Sequence, residues 1–244
     1  MTTDNYCLDL IRRMERALDN TKLGDYDIYY IYSDLRLLAQ PLLLSKQLTK
    51  KDLLDQLTDV FLSRGKTIVI PTFTYTTQGV FHLESTHTRL GALNLFVEMH
   101  ENSIRSSHPL FSYAAVGKNR DISLGLSHNE FGEGSIFTRL RNRNATFLHL
   151  GRDVGEGNTL VHHIEEALNV PYRYLKKFPT QSFSGSSFVG ENFTAFLRKR
   201  DNPKNDYSTN FYPTSEYLHT NKISTEIFSN NQFLNFSRQS FRRI

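Results

Sequence analysis

Hydrophobic positions set the first expectations for this chain. Leu8, Ile11, Met14 and Leu18 recur at intervals of three and four, which predicts a first helix ending near Asp19–Gly24. Asp27-Ile-Tyr-Tyr-Ile-Tyr32 has no such period and is rich in β-branched and aromatic residues, the pattern of a buried strand. Thr49-Lys-Lys-Asp52 has the form of a capping box in which Asp stands where Glu is usual. Leu53, Leu57, Val60 and Phe61 then share one helical face, and Gly65 is placed to end that helix. Lys66-Thr-Ile-Val-Ile70 reads as a second strand stopped by Pro71. Strand, helix, strand implies a right-handed crossover between parallel strands. A third strand, Ala145–Leu150, leads into the loop Gly151–Gly157 and a helix from about Leu160 to Leu168, ending before Pro171. Tyr172–Phe178, Phe188–Leu197 and the Asn/Ser/Tyr-rich stretch beyond mix short strands and helices without a legible order. The class is α/β, a three-layer arrangement with a central, mostly parallel or mixed sheet flanked by helices. No repeat or low-complexity linker divides the chain, so residues 1–244 read as a single domain.

Composition narrows the classes. With 39% hydrophobic residues, 18 Phe and 12 Tyr, the chain is globular rather than disordered. It has no apolar run long enough for a membrane span, and its start lacks the pattern of a secretory signal. A single cysteine, Cys7, excludes an internal disulfide framework and fits a cytoplasmic protein; its expected role is helix packing. The net charge of +4 is compatible with a nucleic-acid surface, a phosphorylated ligand or neither. Arg139-Leu-Arg-Asn-Arg143 reads as a helix C-terminus, where cations suit the macrodipole. Arg238, Arg242 and Arg243 lie in a Ser/Asn/Phe-rich tail of no assigned role.

Three stretches could carry chemistry. His162 and Glu165 are spaced i, i+3 on a predicted helix capped by Thr159 or Asn158, hence on one face. In the first turn the positive end of the dipole disfavours imidazolium, so His162 suits a proton acceptor, with Glu165 fixing its tautomer. His163 and Glu166 repeat the spacing on another face, and spacing does not choose between the pairs. Adjacent histidines point roughly a hundred degrees apart and are poorly placed to share a metal ion, so no metal is expected. Arg105-Ser-Ser-His-Pro-Leu-Phe-Ser112 holds His108 extended before Pro109 and adds the hydroxyls of Ser106, Ser107 and Ser112. Ala114, Ala115 and Gly117 after it permit close backbone approach. Pro71-Thr-Phe-Thr74 ends a strand with two hydroxyls that could meet a ligand or cap a turn. Ligands of α/β sheets sit beyond the carboxyl ends of the strands, where Ser33, Thr72–Thr74 and Gly151–Gly157 should converge. Fingerprints of dinucleotide binding, P-loops and the nucleophile elbow are absent from the sequence.

In order, Ser33-Asp-Leu, Ile70-Pro-Thr-Phe-Thr74, Arg89-Leu-Gly-Ala-Leu93, Arg105–Gly117, Asn158-Thr159…His162…Glu165 and Val170-Pro-Tyr-Arg173 resemble the aminoglycoside 3-N-acetyltransferase family. The resemblance spans about residues 25 to 178. It implies acetyl transfer from acetyl-CoA to a primary amine of an amino sugar, with Thr159, His162 and Glu165 as the catalytic run and His163 set aside. It further implies that Ser33, Thr72, Phe73, Thr74, Ser107, His108 and Ser112 line the coenzyme arm. A donor near Thr74 or a backbone N–H would bind the oxyanion, and residues 179–244 would form an irregular C-terminal part completing the acceptor side. The chain departs from the family's usual Ser-Pro at Ser135-Ile136.

Aminoglycosides are polycations, whereas this chain is basic and residues 76–89 hold one carboxylate, Glu84. That balance favours a phosphorylated acceptor, a nucleotide-linked amino sugar for surface polysaccharide, with an aminoglycoside and antibiotic resistance as the alternative. A nucleic-acid-binding module would leave the His162/Glu165 spacing unexplained. An inactive scaffold is disfavoured by the intact Thr159, His162 and Glu165. The expected partners are therefore acetyl-CoA and an amino-sugar acceptor, with a homo-oligomer compatible and no nucleic acid.

Overall fold

The unbroken apolar run after Asp27 becomes the middle of the molecule in the computed structural model, which describes residues 3–20, 22–36, 49–143, 145–154, 157–200, 212–222, 224–226 and 234–237. The first helix, α1, spans Thr3–Asn20 and contains Cys7; a 3₁₀ turn at Lys22–Asp25 leads to β1, Ile28–Ser33. Helix α2 (Lys50–Leu62) starts on the capping box, with both reciprocal Thr49–Asp52 bonds formed, and β2 follows at Thr67–Pro71. Shorter pieces come next: β3 (Val80–His82), α3 (Ala92–Glu98), β4 (Ile104–Arg105) and β5 (Tyr113–Gly117). Then come α4 (Ile136–Asn142), β6 (Thr146–Leu150) and α5 (Leu160–Ala167). Strands β7 (Arg173–Phe178), β8 (Gln181–Ser184), β9 (Ser187–Gly190) and β10 (Phe193–Arg198) precede α6 (Tyr212–Thr220), β11 (Ser224–Glu226) and β12 (Leu234–Ser237).

Seven strands form the main sheet in the order β11-β12-β6-β1-β2-β5-β4. Its centre is parallel, β6-β1-β2, while β5, β4, β12 and β11 add antiparallel edges, so the sheet is mixed. Alternation along β1 decides which residues meet which layer. Tyr29 and Ile31 join a cluster with α1, α2 and α3, including Leu53, Leu57, Val60 and Phe61. Tyr30 and Tyr32 face the opposite layer with Phe131, Phe137, Leu140 and Leu160. A strand buried on both faces needs no polar alternation, which is why this run was apolar throughout.

The C-terminal part is more ordered than its sequence suggests. Strands β7 and β10 pair antiparallel, β8 and β9 join β3 in a three-stranded sheet, and β12 extends the main sheet beside β6. Residues 155–156 of the Gly-rich loop, the stretch 201–211, and Arg238, Arg242 and Arg243 lie outside the described residues. Among the described residues, no helix is long and apolar enough to cross a membrane.

Gly117 closes β5 with φ +119°, and a Cβ there would sit 2.3 Å from the Lys66 carbonyl oxygen and 2.8 Å from Thr67 Cα. The close approach read from the sequence at this position is thus a contact between backbones. Gly117→Ala is expected to destabilise the fold by about 3 kcal/mol through backbone strain, measured as a lower denaturant midpoint. An unchanged midpoint would mean that the β2–β5 contact yields without cost.

Candidate active site

Tyrosines of β1 hold the start of α5 in place. Tyr32 donates to Asn158 Oδ1 at 3.1 Å, and its hydroxyl lies 3.1 Å from Thr159 Oγ1; the Tyr30 hydroxyl is 3.4 Å from the same Oγ1. The helix cap is supplied by Asn158, whose Oδ1 accepts from the Leu160 amide at 3.1 Å, while the Thr159 side chain makes no cap bond. Burial pushes the Tyr32 hydroxyl up to about 12, so it stays a neutral donor.

One turn further, His162 Nδ1 lies 2.7 Å from Glu165 Oε2. The other oxygen, Oε1, accepts from the Tyr172 hydroxyl at 2.9 Å. Arg173 brings Nε to 2.7 Å from Oε2 and Nη2 to 3.1 Å from His162 Nδ1. Burial alone would raise the Glu165 carboxyl, but hydrogen bonds from His162 and Tyr172 and the charge of Arg173 outweigh it and hold it below its ordinary value. An ionised carboxylate only accepts, so Nδ1 carries the proton towards it. Nε2 is then the acceptor nitrogen, and it has no partner among the described residues. The edge of Phe131 packs against the imidazole, with ring centroids 5.4 Å apart.

The second His/Glu pair is used differently. His163 Nδ1 bonds the Phe131 carbonyl, and Glu166 Oε1 accepts from Asn129 Nδ2 at 2.5 Å. A Cβ on Gly132 would lie 2.3 Å from Asn129 Nδ2 and 2.8 Å from Glu166 Oε1, so the loop is clamped to α5 at its glycine. The two pairs, indistinguishable by spacing, separate into one on a ring with a free nitrogen and one tied to a loop.

The remaining predicted residues divide by exposure. Ser33 is the last residue of β1 and is half-buried, as is Ser107, whose carbonyl accepts from Ser182 Oγ at 2.8 Å. Phe73 stands edge-on to Phe111 at 5.1 Å, and Phe111 meets Phe131 at 5.3 Å, so an aromatic chain links the 72–74 segment to His162. Thr72, Ser112 and His108 are 0%, 0% and 2% exposed. Ser112 Oγ donates to the Thr72 carbonyl at 2.7 Å and accepts from Arg105 Nε at 3.2 Å.

His108 Nδ1 accepts from the Leu110 and Phe111 amides at 3.2 and 3.3 Å, which leaves its Nε2–H to donate to the Thr194 carbonyl at 3.1 Å. Both nitrogens of His108 are thus satisfied within the protein. Thr74 is likewise committed: its hydroxyl donates to the Pro109 carbonyl at 2.6 Å and its amide to the Leu110 carbonyl at 3.2 Å. The oxyanion donor expected at Thr74 therefore has no free hydrogen there. Ile136, where the family usually has Pro, is the first residue of α4, the position a Pro fits; it is fully buried. Among the described residues, no group of three or more His, Cys, Asp or Glu is arranged to hold a metal ion.

Arg173 and Tyr172 were legible only as part of a motif, without a role. The available signal was the short turn at Pro171. The chain restarts as β7 soon after α5, and Tyr172 and Arg173 fall beside Glu165.

The strand order and the layers of helices define an α/β fold with a mixed central sheet. Three solved structures share it. Aminoglycoside acetyltransferase AAC(3)-Xa is 16% identical with a TM-score of 0.73, over 94% of this chain and 88% of that one. AAC-VIa bound to sisomicin, from room-temperature neutron and X-ray data, is 12% identical with a TM-score of 0.73, over 94% and 93%. AAC-IIIb in a binary complex with CoASH is 14% identical with a TM-score of 0.69, over 93% and 90%. No curated protein matches the chain. The sequence itself matches the family described as aminoglycoside 3-N-acetyltransferase over residues 46–241, most of its length. The chain belongs to that family and is an acyl-CoA-dependent N-acetyltransferase with acetyl-CoA as co-substrate.

Proposed function

We propose that the protein transfers acetyl from acetyl-CoA directly to a primary amine of an aminoglycoside, with His162 as general base. The observation that carries the reading is the His162 imidazole held through Nδ1 by Glu165 at 2.7 Å, with Nε2 left free. An amine must lose a proton as its nitrogen attacks the thioester carbon. His162 Nε2 takes that proton while Glu165 balances the imidazolium, the C–S bond breaks, and the proton passes to the departing thiolate, giving the amide and CoA thiol. Phe73, Thr74, Ser33 and Ser107 would contact the pantetheine arm. Thr72, Ser112 and His108 would set the shape of that wall from beneath.

Family membership supports an aminoglycoside over the nucleotide-linked amino sugar that net charge favoured. The charge argument rested on residues 76–89, with Glu84 alone. Glu84 and Glu98 both line a pocket of about 490 Å³, but Glu98 is already paired with Arg105 and His87, so charge at this edge does not decide the acceptor. Thiol release from acetyl-CoA with sisomicin and with nucleotide-linked amino sugars tests the reading. Turnover with sisomicin alone is expected, and turnover with nucleotide-linked sugars alone would reverse the acceptor assignment.

A further inference from the structure

Arg173 begins β7 straight after the Pro171 turn, and its side chain is 7% exposed. Nη1 donates to the Phe196 carbonyl at 3.0 Å, which anchors the guanidinium on β10. The other two nitrogens address the catalytic pair itself: Nε at 2.7 Å from Glu165 Oε2, and Nη2 at 3.1 Å from His162 Nδ1. Glu165 Oε2 is also the atom that faces His162 Nδ1. An ion pair that served only to hold β7 against α5 would need the carboxylate and nothing more. Here the cation also stands against the imidazole.

We infer that Arg173 is a positioning residue of the acetyl transfer, one that neutralises Glu165 so that the His162 imidazole is left able to accept the amine proton. The inference rests on the reading of His162 as the base. A bare carboxylate in contact with an imidazole favours imidazolium, and an imidazolium cannot take a proton. A guanidinium in contact with both groups opposes that effect while leaving the orienting bond to Nδ1 in place. The guanidinium is held by the Phe196 carbonyl and paired with the Glu165 carboxylate; its Nη2 lies beside the protonated His162 Nδ1 as a neighbouring charge, with no hydrogen bond between the two donors.

The other titratable groups nearby do not supply this cation. Tyr172, in the turn just before β7, is neutral, its hydroxyl raised by burial and by its bond to Glu165. Arg198 on β10 acts on Arg173 itself and disfavours its charge. Glu166 lies on the clamped face of α5, and burial raises the carboxyl of Glu130, next to Phe131, well above the ordinary carboxylate range. Tyr30 and Tyr32 below the helix stay neutral for the same reason.

The test is kcat/KM against pH for the wild type, Arg173→Gln, Arg173→Lys, Glu165→Gln and the double variant Glu165→Gln with Arg173→Gln, with acetyl-CoA and the acceptor that supports turnover. In Arg173→Gln the acid limb should move up by about 1 pH unit, with kcat near neutrality reduced and both KM values kept within about twofold. Arg173→Lys should keep the limb near its wild-type position, because it keeps the charge. Glu165→Gln should move the limb down, and adding Arg173→Gln to it should move the limb back up; this comparison decides the matter if Arg173→Gln alone fails to fold. An acid limb that stays put in Arg173→Gln relative to wild type, or in the double variant relative to Glu165→Gln, overturns the inference. So does a raised KM for acetyl-CoA with kcat intact, which would make Arg173 a coenzyme contact. Failure of the base reading shows separately, as undiminished turnover in His162→Gln.

Discussion

Replacing His162 by Gln is expected to lower kcat by about 10²–10⁴-fold, the usual contribution of a positioned base, while both KM values stay within about twofold. Gln can keep a hydrogen bond to Glu165, so the loss isolates proton acceptance from helix geometry. Nothing in the fold depends on the free nitrogen: the ring packs edge-on to Phe131 and otherwise touches Glu165 and Arg173. Some transfer should persist, because two bound reactants held in line still gain from proximity. Steady-state kinetics with each substrate varied in turn reads both quantities. A raised KM at constant kcat would make the ring a binding group instead.

The second large effect concerns stability in acid. His149 sits on β6 with its ring stacked on Tyr32, centroids 4.8 Å apart, and is 0% exposed. Neither ring nitrogen has a hydrogen-bond partner among the described residues. Burial, with the charge of Arg152, pushes it down from 6.5 to about 3. The native state therefore holds His149 neutral where the unfolded chain would protonate it. Its contribution is fully present above pH 6.5 and is lost as pH falls through the unfolded value towards the folded one. His149→Phe keeps the stack and removes this linkage. Relative to wild type, its unfolding free energy should improve by roughly 2–3 kcal/mol between pH 7 and pH 4.5. Comparing the two proteins cancels the opposite contribution of Glu130, whose raised carboxyl favours the native state in acid. Parallel stability curves for the two proteins would mean that water or a polar neighbour already satisfies the ring.

The elements around the site were legible because each had a local cause. The capping box fixed the start of α2, and the double-faced apolar run fixed β1 as a central strand. The His-x-x-Glu spacing placed one face of α5, but the choice between its two pairs is made by Phe131 and Asn129, more than thirty residues away in sequence. The hydrogen bonds that engage His108 and Thr74 were out of reach for the same reason. Their polar atoms bond to backbone groups brought in by the turn at 109–111 and by β10. A hydroxyl or imidazole at the end of a strand looks the same in sequence whether it faces a ligand or closes a loop. Arg173 was missed because its significance lies in which two atoms it touches. The small sheet of β3, β8 and β9 joins strands about a hundred residues apart, a pairing that no local pattern announces.

The account turns on direct transfer assisted by His162, and one measurement addresses it without relying on steady-state parameters. Wild-type protein and His162→Gln, each preloaded with acetyl-CoA, are mixed with sisomicin in a single turnover. The quenched samples are analysed for acetylated acceptor and for acetylated protein. The account predicts that wild type forms acetylated acceptor with no acetyl-protein at any time, and that the variant does so about 10²–10⁴-fold more slowly. Acetyl-protein that forms and decays on the way to product, or equal rates in the two proteins, would contradict it.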